Sequence, residues 1–173
     1  MRRRVPKAAT DGFSLIETTI ALLLLAIVAA GVLPVGILAT RQTENQGHLE
    51  ARATEYAQDK LEQLMALSYG DTLTDTRTLP PAVIGGSGLV VGGTLNTAAP
   101  SALYVDYLRI NGDLIPPAAG PPADWFYMRV WQITSPVANL KQITVTTLVR
   151  SPALGATARA PQATVAALKT NPF

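Results

Sequence analysis

Cysteine is absent from the chain, and histidine occurs only once, as His48. The absence of cysteine excludes disulfide bonds, thiol catalysis and cysteine-ligated metal sites, so an exported domain of this chain depends on packing alone. With a single histidine on the polar side of a predicted helix, no serine or threonine has an obvious histidine base. We therefore expect no enzyme active site, no metal site and no cofactor, and we predict that His48 is a surface residue.

Charged residues are also scarce, at 15% of the chain, and they are unevenly placed. Residues 1–12 hold four of the 14 basic residues and one of the 12 acidic residues. The rest of the chain has ten basic and eleven acidic residues, which gives it a net charge of −1. The sequence pI of about 9.1 therefore reflects the N-terminus, and it does not favour nucleic-acid binding by the remainder.

Residues 18–40 contain no charged side chain. This run of 23 residues exceeds the roughly 20 apolar residues that a helix needs to cross a bilayer. Because the basic cluster precedes it, the N-terminus is predicted to be cytoplasmic and everything after residue 40 to lie outside. A cleaved secretory signal carries its small-residue site after the apolar run, whereas here Gly12 precedes the run. The simplest alternative is an uncleaved signal anchor.

Glu17 is the only charged residue within the front edge of this apolar segment. A charge inside a membrane costs about 2.5–3.5 kcal/mol on insertion scales and is usually paired. No basic residue lies between Asp11 and Arg41, so the helix itself supplies no partner. Cleavage after Gly12 would create a positive α-amino group on Phe13, one helical turn from Glu17. We therefore hypothesise that Glu17 pairs with this amine across two packed helices and sets their register.

Residues 7–18 have the sequence Lys-Ala-Ala-Thr-Asp-Gly-Phe-Ser-Leu-Ile-Glu-Thr. Together with the basic leader and the apolar run, this segment resembles the class III signal of type IV prepilins and type II secretion pseudopilins. The resemblance implies that residues 1–12 are a leader peptide, that a membrane aspartyl prepilin peptidase cleaves between Gly12 and Phe13, and that Phe13 is then N-methylated. It also implies polymerisation, with the apolar helices forming the core of a filament and Glu17 acting in assembly.

Pro34 matches the helix-kinking proline of many type IV pilins. Proline removes one hydrogen bond from the helical ladder and bends the helix. Because Gly31 and Gly36 flank Pro34, residues 26–36 are where we expect the helix to bend or melt during packing.

The helix is predicted to continue beyond the membrane, over residues 13–68 in all, with residues 13–40 as its transmembrane part. Its outer half carries one stripe at helical spacing, which should pack on a C-terminal head. The stripe comprises Leu49, Ala53, Tyr56, Ala57, Leu61, Leu64, Met65 and Ser68. Off the stripe lie charges that should face water or neighbouring subunits, namely Glu44, Glu50, Arg52, Glu55, Asp59 and Glu62. Residues 51–64 are similar to the helix of minor pilins of the pilin V class and of minor pseudopilins of the I class.

Residues 69–100 form a connecting loop rich in glycine, threonine and proline, predicted to lie on the surface, with short strands possible at 83–84 and 89–91. The glycines at 85–88 fit no phosphate-binding motif. Asp71 and Asp75 are expected to serve turns or caps, with a calcium site as the alternative. In pilins the equivalent loop is a variable region that contacts other subunits, which the resemblance implies here.

Residues 101–173 are predicted to form a β head. Strands are expected at 103–110, 113–115, 125–134, 140–150 and 162–168, with Asn111-Gly112 as a hairpin turn. The result is an α+β chain with a type IV pilin-like fold, in which the long helix packs on an antiparallel sheet of about four strands. An aromatic set within it is predicted to pack against the helix, with stacking on single-stranded DNA as the alternative. The set comprises Trp125, Phe126, Tyr127 and Trp131, with Arg129 beside them.

The functional expectation is a minor type IV pilin that helps to initiate the filament or to cap its tip. Its expected partners are the prepilin peptidase, other major and minor pilins, the inner-membrane assembly platform and, before assembly, the lipid bilayer. The expected location is the bacterial inner membrane and then a pilus or pseudopilus. A minor pseudopilin of type II secretion, a DNA-binding competence pilin and a signal-anchored domain that never polymerises are the alternatives.

Overall fold

The computed structural model of the chain describes residues 14–150 and 160–171. Gly12 and Phe13, the predicted cleavage and methylation positions, lie outside these residues. The described elements are one helix and six strands, so the chain is α+β. In order they are α1 (Leu15–Ala66), β1 (Gly92–Gly93), β2 (Val105–Leu108), β3 (Leu114–Ile115), β4 (Tyr127–Val137), β5 (Leu140–Val149) and β6 (Gln162–Thr170). The chain divides into two compact units, Met1–Glu44 and Asn45–Phe173.

In the first unit, the part of α1 over Leu15–Thr40 is long and apolar enough to span a membrane. Its mean hydropathy is 2.8 and none of it is buried. The helix continues through Pro34, and residues 26–36 are helical throughout. The predicted melting of this stretch during packing therefore stays a prediction about the assembled state.

In the second unit, the six strands form one antiparallel sheet in the order β3-β2-β4-β5-β6, with β1 also paired to β4. The sheet thus has six strands rather than about four, because two-residue strands, β1 and β3, extend it. The predicted Asn-Gly hairpin is present between β2 and β3, with Tyr107 opposite Ile115 and Gly112 at a φ of 91°. That positive φ is one which a glycine adopts without strain.

The core of the second unit lies between the outer part of α1 and one face of the sheet. Ala53, Ala57 and Leu64 are fully buried, as the stripe predicted, and they pack with residues of the central strands. The main sheet residues in these clusters are Trp131, Ile133, Ile143, Val145 and Val149. Lys60 was not included in the predicted stripe, yet it is fully buried. The predicted stripe therefore omits one residue of the buried face of α1.

The connecting loop is not confined to the surface, which corrects the prediction for residues 69–100. Leu89 is fully buried in the core and Ser87 is buried beside it, whereas Val83 and Ile84 are exposed and form no strand. The only strand in this segment is β1. Gly86 is needed here, because a Cβ at this position would lie 2.2 Å from the Cα of Asp75. Close backbone packing therefore fixes the loop's path.

Candidate functional site

The apolar segment Leu15–Thr40 is the first functional feature, because it presents only apolar and small polar side chains behind one carboxylate. Glu17 lies in the first turn of α1 and is exposed, and its backbone N–H donates to the carbonyl of Ser14 at 3.0 Å. Among the described residues, no cation lies within ion-pair distance of its carboxylate. The structure therefore gives Glu17 no partner among the side chains that it describes.

The threonines of this segment satisfy their own hydroxyl groups. Thr18 Oγ1 donates to the Leu15 carbonyl at 2.9 Å, and Thr19 Oγ1 donates to the Ile16 carbonyl at 2.8 Å. Thr40 Oγ1 donates to the Gly36 carbonyl at 3.0 Å. Such bonds to the preceding turn allow a hydroxyl to enter an apolar medium without a loose polar atom. The side chain of Glu17 forms no comparable hydrogen bond among the described residues, which distinguishes it from these threonines.

A buried ion cluster is the second feature, and it joins α1 to the sheet. Lys60 Nζ lies 2.7 Å from Asp106 Oδ2, and Arg129 binds both oxygens of the same carboxylate, at 2.7 Å through Nε and 2.8 Å through Nη2. All three side chains are at least 96% buried. Lys60 comes from the helix, Asp106 from β2 and Arg129 from β4. One carboxylate therefore pairs with two cations from different elements.

Burial lowers the pKa of Lys60 from 10.5 to about 8, because loss of water outweighs the attraction of Asp106 and because Arg129 repels the ammonium group. Burial alone would raise the pKa of Asp106, but Arg129 and Lys60 together hold it below its usual value. Asp106 is therefore ionised in the folded head at neutral pH.

The cluster also binds the connecting loop and the helix backbone. Lys60 Nζ donates to the Thr76 carbonyl at 2.8 Å and lies 4.1 Å from the centre of the Trp131 ring. Arg129 Nη1 donates to the Tyr56 carbonyl at 3.4 Å. These contacts fix helix, loop and sheet around Asp106. Helical spacing could have placed Lys60 on the buried face of α1, since it stands four residues from both Tyr56 and Leu64, but it does not identify Asp106 or Arg129 as its neighbours.

Two further lysines bind backbone carbonyls at the C-terminal end of α1 and in the loop that follows it, and α1 has no basic residue in its own last turn. Lys169 of β6 donates to the Met65 carbonyl at 2.6 Å. Lys141 of β5 donates to the carbonyls of Tyr69 and Leu89, both at 2.7 Å. The last carbonyls of a helix have no partner within it, so cations there are favourable. The sheet thus supplies the C-terminal cap that the helix lacks.

The two aspartates of the connecting loop have structural partners. Asp71 accepts bonds from the backbone N–H groups of Leu73 and Thr74, both at 3.0 Å, as predicted for a turn residue. Asp75 forms a two-bond ion pair with Arg77, at 2.8 Å and 2.7 Å. The hydrogen bonds of Arg77 hold the pKa of Asp75 below its usual value. Both carboxylates are thus used to shape the loop.

The aromatic residues are mainly core residues, as predicted. Tyr127 and Trp131 are buried, while Trp125 is half-buried beneath Arg150, whose guanidinium carbon lies 5.2 Å from its ring centre. Arg129 is occupied by Asp106. Every residue of β4 from Tyr127 to Trp131 is buried, so both faces of this part of the strand are covered. His48 is exposed, as predicted.

Comparison with known proteins does not assign the chain to a family. No protein-family model matches it, and neither a curated protein nor a solved structure is significantly similar to it. Its function is therefore inferred from the residues and contacts above.

Proposed function

We propose that this chain is a minor type IV pilin. It is made as a prepilin, cleaved between Gly12 and Phe13 by a membrane prepilin peptidase, methylated on Phe13, and incorporated into a pilus at initiation or at the tip. Before assembly it resides in the bacterial inner membrane, with its N-terminus in the cytoplasm and its β head outside. Its partners are the other major and minor pilins and the assembly platform.

The observation that carries this proposal is the single carboxylate at the front of an otherwise uncharged helix. Leu15–Thr40 is apolar enough to span a membrane, and Glu17 is its only charged residue. A simple anchor gains nothing from a charge that costs about 2.5–3.5 kcal/mol in the membrane. A subunit that pairs the charge with the new amine of a neighbour gains a defined register. Because the unpaired charge of Glu17 is costly in the bilayer, transfer of the subunit from the bilayer into the filament is favoured.

The second unit supports the same proposal. Its α+β architecture, in which the outer part of α1 packs on an antiparallel sheet, is what the pilin resemblance implies. Within the described residues, the charged groups buried with this helix form internal ion pairs and bonds to backbone carbonyls. This arrangement fits a subunit whose role is structural.

The alternatives differ in what they require of the head. A competence pilin needs exposed aromatic and basic side chains for stacking on single-stranded DNA, whereas Tyr127, Trp131 and Arg129 are buried here. A minor pseudopilin of type II secretion would have the same membrane segment and the same processing. A functional assay is therefore needed to distinguish it from a minor pilin. Loss of the chain should abolish or reduce pili in a pilus system, and should block enzyme export with normal pili in a secretion system.

Mass spectrometry of the native protein tests the processing step. The mature chain should begin at Phe13 and carry one additional methyl group. Gly12→Leu, which replaces the small residue before the cut, should leave the chain unprocessed in the same membranes. If the native protein still begins at Met1, the chain is a signal-anchored domain and not a processed prepilin.

Glu17 substitutions test the assembly step separately. Glu17→Ala should leave cleavage and membrane insertion unchanged but reduce the subunit in sheared pili by about tenfold or more, as expected for loss of a buried ion pair. Glu17→Gln, which keeps the shape and removes the charge, should behave like Glu17→Ala. Incorporation of both variants at the level of the unaltered chain would refute the pairing.

A further inference from the structure

The turn of the β2–β3 hairpin contains an exposed asparagine that is followed by a glycine. Asn111 is exposed to water, and Gly112 has a φ of 91°. The side-chain amide carbon of an asparagine can be attacked by the backbone nitrogen of the next residue. A glycine leaves this nitrogen open, because it has no Cβ. Two atoms that can react, Asn111 Cγ and Gly112 N, therefore lie side by side where water has access.

The side chain of Asn111 folds back over the peptide group that follows it. Asp113 N–H donates to Asn111 Oδ1 at 3.2 Å, and the ring closed by this hydrogen bond contains Gly112 N. Asp113 is itself fixed, because Arg109 N–H donates to its carbonyl at 2.9 Å. Attack on Cγ would develop negative charge on Oδ1, to which the Asp113 N–H already donates. A backbone donor in this position stabilises such a charge.

The carboxylate of Asp113 lies at the group that would leave. Asn111 Nδ2 donates to Asp113 Oδ2 at 2.6 Å. A carboxylate at this distance can carry a proton to the nitrogen as the C–N bond breaks. One hydrogen bond opposes the reaction, since Gly112 N–H donates to the Arg109 carbonyl at 3.0 Å and this bond has to open before attack. The turn thus supplies the electrophile, the nucleophile, a charge-stabilising donor and a proton carrier.

We propose that Asn111 is a site of self-catalysed deamidation in the folded head, with Asp113 as the proton carrier. Gly112 N loses its proton and forms a bond to Asn111 Cγ. The bond between Cγ and Nδ2 then breaks, and the amide nitrogen leaves as ammonia after receiving that proton through Asp113. Water next opens the cyclic imide at either carbonyl, which gives aspartate or isoaspartate. The reaction needs no oxidant or reductant, and it is independent of the proposed pilin function.

The products change the hairpin irreversibly. A new carboxylate at position 111 lies beside that of Asp113, and isoaspartate adds one carbon to the backbone next to Gly112. Gly112 packs closely on α1, because a Cβ at this position would lie 2.5 Å from Tyr56 Oη. Repulsion between like charges and the longer backbone should therefore loosen the contact of the hairpin with Tyr56.

Asn96 provides a matched control within the chain. Ala98 N–H donates to Asn96 Oδ1 at 3.0 Å, so a second exposed asparagine has the same folded-back side chain. Thr97 follows Asn96 in place of a glycine, and no carboxylate among the described residues bonds its amide nitrogen. Asn111 should therefore deamidate at least about tenfold faster than Asn96. Thr97→Gly should accelerate the reaction of Asn96 without raising it to the rate of Asn111.

Mass spectrometry of the full chain in detergent micelles tests the proposal. The chain is incubated at neutral pH in water enriched in heavy oxygen and then digested with trypsin. The peptide of residues 110–129 should gain the mass of the acid with one heavy oxygen, as a mixture of aspartate and isoaspartate. Asp113→Ala and the shape-conserving Asp113→Asn should each slow this change at least about tenfold. Unchanged tryptophan fluorescence would show that both variants are folded.

The same incubation in urea separates the folded turn from the local sequence. Without the turn the Asp113 carboxylate is not held at Nδ2, so the unaltered chain and the two Asp113 variants should react at similar rates. The proposal is overturned if Asn111 reacts no faster than Asn96 in the folded chain, or if the Asp113 substitutions have no effect there. It is also overturned if these substitutions slow the reaction equally in urea, because the effect would then belong to the unfolded sequence.

Discussion

The two parts of α1 treat burial and charge in opposite ways. Over Leu15–Thr40 no residue is buried, and the one charge, Glu17, has no partner among the described residues. In the part that belongs to the second unit, Ala53, Ala57 and Leu64 are fully buried, and Lys60 is paired within its own chain. One helix therefore contains a segment completed by the fold and a segment that the described chain leaves incomplete.

The difference follows from the distribution of apolar residues around the helix. The first segment is apolar on every side, so it needs an apolar medium all round, either lipid or other helices. The second segment has one apolar stripe, which a single sheet can cover. A charge in the first segment must find its partner outside the chain. A charge in the second can be paired within the fold, at the expense of burying ions.

The largest expected effect is the loss of Asp106. Asp106→Ala leaves Lys60 and Arg129 buried without their anion, which should lower the free energy of unfolding of the head by about 3–5 kcal/mol. The measurement is urea unfolding of the full chain in detergent, followed by tryptophan fluorescence, because both tryptophans lie in the head.

Asp124 provides the matched control. Asp124 pairs with Arg109 at 2.8 Å, but about half of each side chain is exposed. Asp124→Ala should therefore leave the free energy of unfolding nearly unchanged. If Asp106→Ala and Asp124→Ala lower the free energy of unfolding equally, the buried position of the Lys60–Asp106–Arg129 cluster does not add to its effect on stability.

An effect of intermediate size is expected from the pH dependence of Lys60. Its pKa is about 8 in the folded chain and 10.5 when unfolded, so the unfolded chain binds more protons between these values. The free energy of unfolding should therefore rise with pH from about 8 to about 10.5, by on the order of 3 kcal/mol. Lys60→Met should remove this rise. Parallel pH profiles for the two proteins would contradict the role of burial.

The smallest expected effect compares one substitution in the two segments of the helix. Ala57→Leu adds volume at a fully buried position and should destabilise the head by about 1–3 kcal/mol. Ala26→Leu makes the same change at an exposed position of the apolar segment and should leave the unfolding of the head unchanged. A similar loss in both variants would show that the two segments do not unfold independently.

Much of the fold could be predicted because local patterns sufficed. The 3.6-residue stripe located Ala53, Ala57 and Leu64 in the core, and the Asn-Gly pair located the turn before β3. The two-residue strand β1 was missed because it consists of Gly92 and Gly93, which have low strand propensity and pair only where β4 extends beyond β2. Similarly, the burial of Leu89 depends on how the loop is bonded to Asp71.

The sequence by itself determined the uncharged run, the isolated Glu17 in front of it and the helical stripe beyond it, since hydropathy and spacing are properties of neighbouring residues. Only the tertiary structure decided that Lys60, Asp106 and Arg129 meet, because these residues are separated by 46 and 23 positions and belong to different elements. It also decided that β6 lies at the edge of the described sheet rather than at its centre. Strand order depends on long-range pairing, which local sequence patterns do not specify.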